Sequence, residues 1–431
     1  MAPIARRETA RGWAASQACR ARFVSLVALT SVLGLAGTAS AKSPRDLPSE
    51  DKPSPPVRPE EGESEWYSFH FQLTAATQYH PSFFAKYSGQ NSLSPNAESA
   101  TAFVSTVYTD VRLWRGAELL FDPELSGGSG VSHALGIAAF PDGIVYRVGD
   151  PAPAVYLARL AISQSFGLGG GKVITLSNSN ELAGTRDKNQ LAITVGRLAV
   201  TDVFDANRWA NDATSRFFNW ALFASGAWDY PADTRGYTYG ALSDLTMNWW
   251  SARVGIALEP KYANLADMEW NLAKSRGLMA EYEARYKIRG RPGAWSLLLF
   301  HNTARMGNYA EAADAHVSIG STREDGRTKY GFALSVEQQF THGLGAFLRI
   351  SANDGANESW AFTEIDRSLA FGVVQDGELW HRDKDEAGIG TVINGLSAQH
   401  RRYLAGGGYG FIIGDGALNY APEVVTDIYY R

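Results

Sequence analysis

Tyr67-Ser68-Phe69-His70-Phe71-Gln72-Leu73-Thr74-Ala75-Ala76-Thr77-Gln78-Tyr79 is the stretch that decides the fold. Tyr67, Phe69, Phe71, Leu73 and Ala75 fall on one side of an extended chain. Ser68, His70, Gln72, Thr74, Ala76 and Gln78 fall on the other. Successive strand side chains point to opposite faces, so this is a strand with one apolar and one polar face. At roughly 3.3 Å per residue the run is about 40 Å long, and a tilt of ~45° reduces its height to that of a bilayer core. Tyr67 and Tyr79 then sit at its two interfaces.

The pattern recurs outward from there. Phe103, Val107, Val111 and Leu113 oppose Tyr108, Asp110, Arg112 and Trp114. After a turn at Gly116, Ala117, Leu119 and Phe121 alternate with Glu118, Asp122 and Glu124. The segments 278–288, 330–337 and 344–351 alternate in the same way, with breaks at Thr341-His342-Gly343 and Asn353-Asp354-Gly355. Short turns separate some strands, and long polar connections such as 303–329 and 376–388 separate others. A transmembrane barrel has this asymmetry. In lipid every backbone N–H and C=O must be paired within the protein, so the expected fold is all-β, a closed antiparallel barrel. The competing reading is a large soluble β-protein with one wet face. The charge-rich polar faces and the aromatic strand ends disfavour it.

The leading 41 residues read as a secretory signal peptide. Arg6, Arg7, Arg11, Arg20 and Arg22 precede an uncharged apolar stretch from Phe23 to Ala36, and Ala39-Ser40-Ala41 is a small-x-small cleavage site. Residues 42–65 read as a Pro-rich linker and 66–431 as the barrel. Without the five arginines and one glutamate of the leader, the 40 basic and 45 acidic residues leave a net charge of −9, which argues against nucleic acid as a partner. The single cysteine, Cys19, departs with the leader, so no disulfide or thiolate metal site is expected. The eight histidines form no close metal-ligand pair, and no Ser, His and Asp spacing specifies a triad. Gly167 to Gly171 lacks the strand-to-helix setting of a nucleotide loop. No enzyme activity, cofactor or metal is expected.

Longer blocks carry a family likeness. They include Gly116-Ala117-Glu118-Leu119, Val148-Gly149-Asp150 with Tyr156-Leu157-Ala158-Arg159, and Gln164-Ser165-Phe166-Gly167-Leu168-Gly169. The most specific runs from Asp202-Val203-Phe204-Asp205-Ala206-Asn207-Arg208-Trp209-Ala210-Asn211-Asp212 into Gly226-Ala227-Trp228-Asp229-Tyr230-Pro231-Ala232-Asp233-Thr234-Arg235-Gly236-Tyr237. Ala361-Phe362-Thr363-Glu364-Ile365-Asp366-Arg367-Ser368 and Asn394-Gly395-Leu396-Ser397 follow. The chain resembles the carbohydrate-selective porin (OprB) family. The resemblance implies a barrel of about sixteen strands in the bacterial outer membrane, surrounded by its lipid and passing small carbohydrates such as monosaccharides through a constricted, partly basic eyelet. The family runs on past Asn419-Tyr420-Ala421-Pro422-Glu423 to an aromatic-terminated strand. This chain stops at Tyr429-Tyr430-Arg431, so the resemblance implies a wall short of its last one or two strands.

A sugar pore needs aromatic faces for the apolar faces of a pyranose and charged or amide groups for its hydroxyls, with binding weak enough for exit. The period of two puts Tyr108, Asp110, Arg112 and Trp114 inward on one strand and Glu118 on its neighbour, with Arg285 and Arg349 elsewhere on the wall. A loop folded inward from Asp202 to Asp212 places Arg208 and Trp209 near the constriction. The plainer alternatives are that lumen charges merely pair with one another, and that Asp205, Asn207 and Asn211 brace a loop as Asx residues do. Function follows as passive carbohydrate diffusion. The alternatives are a general porin for other small polar solutes, or a sugar-binding or enzymatic barrel. A homotrimer is the expected packing where one forms.

Overall fold

The computed structural model describes residues 64–144, 151–361 and 363–431. The signal peptide, nearly all of the linker, the Val148-Gly149-Asp150 motif and Phe362 lie outside the described residues.

Among the described residues sixteen strands follow one another: β1 (Tyr67–His80), β2 (Glu98–Trp114), β3 (Ala117–Gly128), β4 (Ala154–Gly167), β5 (Lys172–Thr175), β6 (Gly184–Asp187), β7 (Gln190–Leu198), β8 (Thr238–Thr246), β9 (Trp250–Ala257), β10 (Arg276–Ile288), β11 (Arg291–Ala304), β12 (Arg327–Gln339), β13 (Leu344–Asn353), β14 (Arg367–Asp376), β15 (Glu386–Gly395) and β16 (Glu423–Tyr430). Fourteen form one antiparallel sheet in sequence order, each strand bonded to the next, with β1 and β16 at its edges. The other two, β5 and β6, pair only with each other. Among the described residues no helix is long and apolar enough to cross a membrane.

The alternation read from the sequence appears directly in the wall. Phe69 and Phe71 are 66 % and 56 % exposed, whereas Asp110, Asp122 and Glu283 are fully buried. Phe332, Val373 and Ile393 also stand outward, while Ser335, Arg349 and Asn394 point in. Cross-strand register keeps the phase: Ser68 lies opposite Asp110 and Asp244 opposite Arg253. The apolar exterior suits lipid, and the charged groups occupy the lumen. Two bulges break phase, one of them in the β3–β4 register between Asp122 and Pro123. The β2–β3 register shifts between Arg112 and Trp114, and such a bulge re-aims the side chains beyond it. Trp114 is 58 % exposed, with its indole N–H donated to Gln164 Oε1 at 2.8 Å.

The connections sort by length onto the two ends. Residues 115–116, 247–249, 289–290 and 340–343 close short turns at one end. The described residues of the long segments 81–97, 129–153, 199–237, 258–275, 305–326, 354–366 and 396–422 lie at the other. By the barrel rule the short end is periplasmic. The segment around 376–388, read from sequence as a long outer connection, is in fact the nine residues 377–385 at the short-turn end. Polarity marked it as a loop, but only strand order reveals its side.

The long connections pack with one another. Helix α2 (Tyr309–Ala315) in one and α3 (Ala398–Ala405) in another meet where His400 stacks on Tyr309, ring centres 4.0 Å apart. His400 Nδ1 lies 2.9 Å from Asp366 Oδ2, so a third connection joins the cluster.

Candidate functional site

The connection 199–237 folds into the barrel. Its Asx residues give the backbone hydrogen-bond partners away from the sheet. Asn207 Oδ1 accepts from Trp209 N at 2.9 Å and Ala210 N at 3.2 Å. Asn219 caps the single-turn helix α1 (Trp220–Phe223), accepting from Ala221 N at 3.0 Å. Asp205, at φ 56°, accepts from Ser225 N at 2.6 Å and Ser225 Oγ at 2.8 Å. Phe204 and Trp228 then pack against Leu242, Met279 and Leu298 of the wall, and Phe217 and Leu222 against Phe347, Val374 and Val392.

Lumen-facing polar groups hold this loop by its backbone. Glu281 accepts from Asp205 N at 2.8 Å, Glu337 from Arg208 N at 2.6 Å and Asp427 from Asn219 N at 3.0 Å. Arg349 makes the densest attachment. Its guanidinium donates to the carbonyls of Ala210 at 2.5 Å, Leu222 at 2.8 Å and Asp205 at 2.8 Å, and its Nε lies 3.4 Å from Asp205 Oδ1.

A second constellation joins β3 and β4 to the end of the loop. Glu124 accepts from Thr106 Oγ1 at 2.7 Å, from Tyr237 Oη at 3.0 Å and from Tyr156 Oη. Arg159 bonds Asp122 at 3.2 Å and grips Asp202 of the loop through two bonds of 2.8 and 2.7 Å. The Arg235 guanidinium carbon sits 3.8 Å from the Tyr156 ring centre, and Arg235 Nη1 donates to Ser126 Oγ at 2.9 Å. The Tyr156 and Tyr237 rings are 6.1 Å apart, with Arg159 5.5 Å from the second. Burial and the neighbouring Glu124 push the Tyr237 phenol well above its usual range, so it stays a neutral donor at physiological pH. Phenols, guanidiniums and carboxylates thus alternate over half-buried surface, the mixture that ring faces and hydroxyls of a sugar require.

The residues expected from sequence divide by position. Tyr108 is half-buried and donates to Gln72 Oε1 at 3.2 Å, with Arg159 and Glu124 as charged neighbours. Asp110 is enclosed beside Ser68 Oγ at 3.4 Å. Arg112 and Glu118 face each other at 3.6 Å near the short-turn end, half-buried. Trp114 has left that row. Arg208 lies over the Trp209 ring at 5.1 Å, while Trp209 itself is buried in the packed loop. Arg285 is spent on the β8–β9 turn, donating to the carbonyls of Met247 and Trp250, to Ser251 and to Glu283. Arg349 is buried as the loop's anchor. The structure therefore brings Arg208, Trp209 and Arg349 to one loop and Arg112 to Glu118, and leaves Arg285 apart.

The sequence reading passed over Tyr156, Arg159, Arg235 and Tyr237 as site residues. All four stand within quoted motifs, and Glu124 was already on the inward row. Asp122 and Glu124 are in register with Arg159 and Tyr156, but the β3–β4 register shifts between Asp122 and Pro123, so strict alternation from Arg159 leads to Leu157 and misses Tyr156.

One loop carboxyl gives a pH-dependent expectation. Burial pushes Asp142 up to about 7, with a single backbone hydrogen bond from Ile144 N at 3.1 Å opposing it. The unfolded chain releases this proton near pH ~4, so stability falls as pH rises from there to about 7 and stays low above it. Asp142→Asn is expected to raise the melting temperature at pH 8 and to leave it unchanged at pH 4. An equal effect at both, in thermal scans of refolded protein, contradicts the assignment.

The fold is similar to that of Pseudomonas putida OprB in its high-pH structure, with a TM-score of 0.60, 15 % identity and 84 % of each chain covered. The low-pH structure of the same protein aligns with a TM-score of 0.42 and 14 % identity over 77 % of this chain and 78 % of that one. No curated protein sequence matches. The first alignment shows the barrel fold of a porin. The sequence profile of the carbohydrate-selective porin family, OprB, matches residues 90–431, which is most of the chain. The protein therefore belongs to the OprB family of carbohydrate-selective porins, the channels of the bacterial outer membrane that admit sugars.

Proposed function

We propose that sugars are selected where the inward loop meets β3 and β4, on a surface formed by Tyr108, Tyr156, Arg159, Arg235 and Tyr237. The observation that carries this reading is the stack of Arg235 on Tyr156 at 3.8 Å, with Tyr237 alongside at 6.1 Å. A pyranose offers apolar C–H faces to such rings and hydroxyls to the guanidiniums, and the contact is weak enough for onward diffusion. Arg112 and Glu118, and Arg208 at the loop edge, contribute further polar wall. Asp110, Trp209, Arg285 and Arg349 act by holding the wall and loop in place. Chemistry is confined to binding and release, with no covalent step.

Arg235→Ala is expected to weaken sugar block of single-channel current by roughly three- to tenfold, the worth of a cation–π contact and its hydrogen bonds. Sugar block equal to that of the parent removes Arg235 from the site. Liposome swelling with glucose, maltose and an amino acid separates this reading from a general pore, whose rates follow solute size alone. We further propose removal of Met1–Ala41 on export, so that the mature protein begins at Lys42 by N-terminal sequencing. Homotrimeric packing is a secondary proposal, checked by mass measurement in detergent.

A further inference from the structure

At the periplasmic end, five of the six connections have between two and nine residues, and the sixth, 168–189, has twenty-two. It holds the β5–β6 hairpin, with Lys172 in register with Asp187 and Thr175 with Gly184. The tip closes tightly. Asn178 N donates to Glu181 O at 2.9 Å and Glu181 N to Asn178 O at 3.1 Å, with Asn180 at φ 58°.

The tip reaches lumen-facing side chains of the wall. Ser177 Oγ lies 3.2 Å from Nε2 of His70, which is in register with Tyr108. Asn180 approaches Asp122, and Glu181 and Arg186 lie within electrostatic range of Glu118. Thr175, Ser179 and Leu182 are buried. The tip is also fastened to the chain leading into β1: Glu65 N donates to Ala183 O at 3.0 Å, and Ala183 N to Glu65 Oε2 at 2.8 Å. A hairpin that merely capped the outside of the rim would touch neither Asp122 nor His70.

We propose that the Lys172–Asp187 hairpin is a second constriction, on the periplasmic side, that sets the upper size of the sugar released and balances the charge of the exit. The proposal rests on the porin reading. Arg186 and Glu181 pair at 2.9 Å, beside Arg112 and Glu118 at 3.6 Å. Opposite charges so close leave little net potential, so neutral polyhydroxy solutes pass without competition from ions of either sign.

The test uses the full chain in planar bilayers and liposomes. Gly167 and Gln190 are partners in register, so replacing Leu168–Asn189 by Asn-Gly closes β4 onto β7 with a two-residue turn. The shortened protein is expected to conduct about twofold more and to admit a trisaccharide that the parent excludes. Unchanged conductance and size limit overturn the proposal. If the shortened chain fails to insert, Glu181→Gln decides: a shift of ion selectivity toward anions supports the hairpin's place at the exit, and unaltered selectivity overturns it. A parent chain with no conductance at all counts against the porin reading itself.

Discussion

Arg349→Ala is expected to widen the pore and abolish its preference for sugars. Arg349 is 1 % exposed, and its three carbonyl contacts and its Asp205 partner all belong to the inward loop. Truncation leaves three carbonyls and a nearly buried carboxylate without their cation. Removing one partner of a buried ion pair costs about 3–5 kcal/mol, a large penalty set against the loop's apolar packing and its remaining hydrogen bonds. The loop then loses its seat on β13, while the wall, bonded strand to strand from β1 to β16, persists. Single-channel recording is expected to show a several-fold rise in conductance with flickering, and loss of sugar block. Arg349→Lys keeps the charge but lacks the guanidinium's fork, so it is expected to behave nearer to alanine than to the parent. Parent-like conductance and sugar block in Arg349→Ala would falsify the anchoring role.

The second large effect is expected at Asp366. This buried carboxylate accepts from Ser397 N at 2.8 Å, lies 2.9 Å from His400 Nδ1 and has Lys329 Nζ at 3.7 Å. Burial opposes its charge, but His400 and Lys329 outweigh that and hold the carboxyl well below the usual range. A depressed carboxylate contributes stability that is complete above the unfolded value of ~4 and is lost only as pH falls through the lower folded value. The outer connections should therefore stay locked throughout the mildly acidic range. Asp366→Ala abandons His400 and Lys329 in a dry cluster, with a cost of about 3–5 kcal/mol. Trypsin is expected to cut the variant at Arg401 or Arg402 of α3 far faster than the parent, under conditions that leave the strands intact. Equal cleavage rates would remove Asp366 from its role as a lock.

The wall was readable because a strand's period of two is a local property. Tyr67 to Tyr79, Phe103 to Leu113 and Leu344 to Ile350 disclosed both their extent and their outward face. The bulge at Arg112 was not readable, since an extra residue is defined by the opposing strand, and it carried Trp114 out of its row. Arg349 was placed on the correct face. Its occupation by Ala210, Leu222 and Asp205 involves partners 127 to 144 residues away, which no local pattern encodes. The same distance concealed the recognition surface: Arg235 and Tyr237 precede β8, yet meet Tyr156 and Glu124 from β3 and β4. Gly169, Gly170 and Gly171 do turn the chain, but only the fold shows that the hairpin they precede reaches Asp122 and His70.

The placement of the loop's fasteners also orders events during biogenesis. Asp205, Arg208 and Asn219 emerge well before Glu281, Glu337 and Asp427, which lie 76, 129 and 208 residues later. Contacts of such long sequence separation form late, after shorter closures have already restricted the chain. The nascent cylinder accordingly passes through a wide-bore stage, with Phe204, Phe217 and Trp228 still awaiting their seats. Narrowing is a maturation step that reports completion of the distal half.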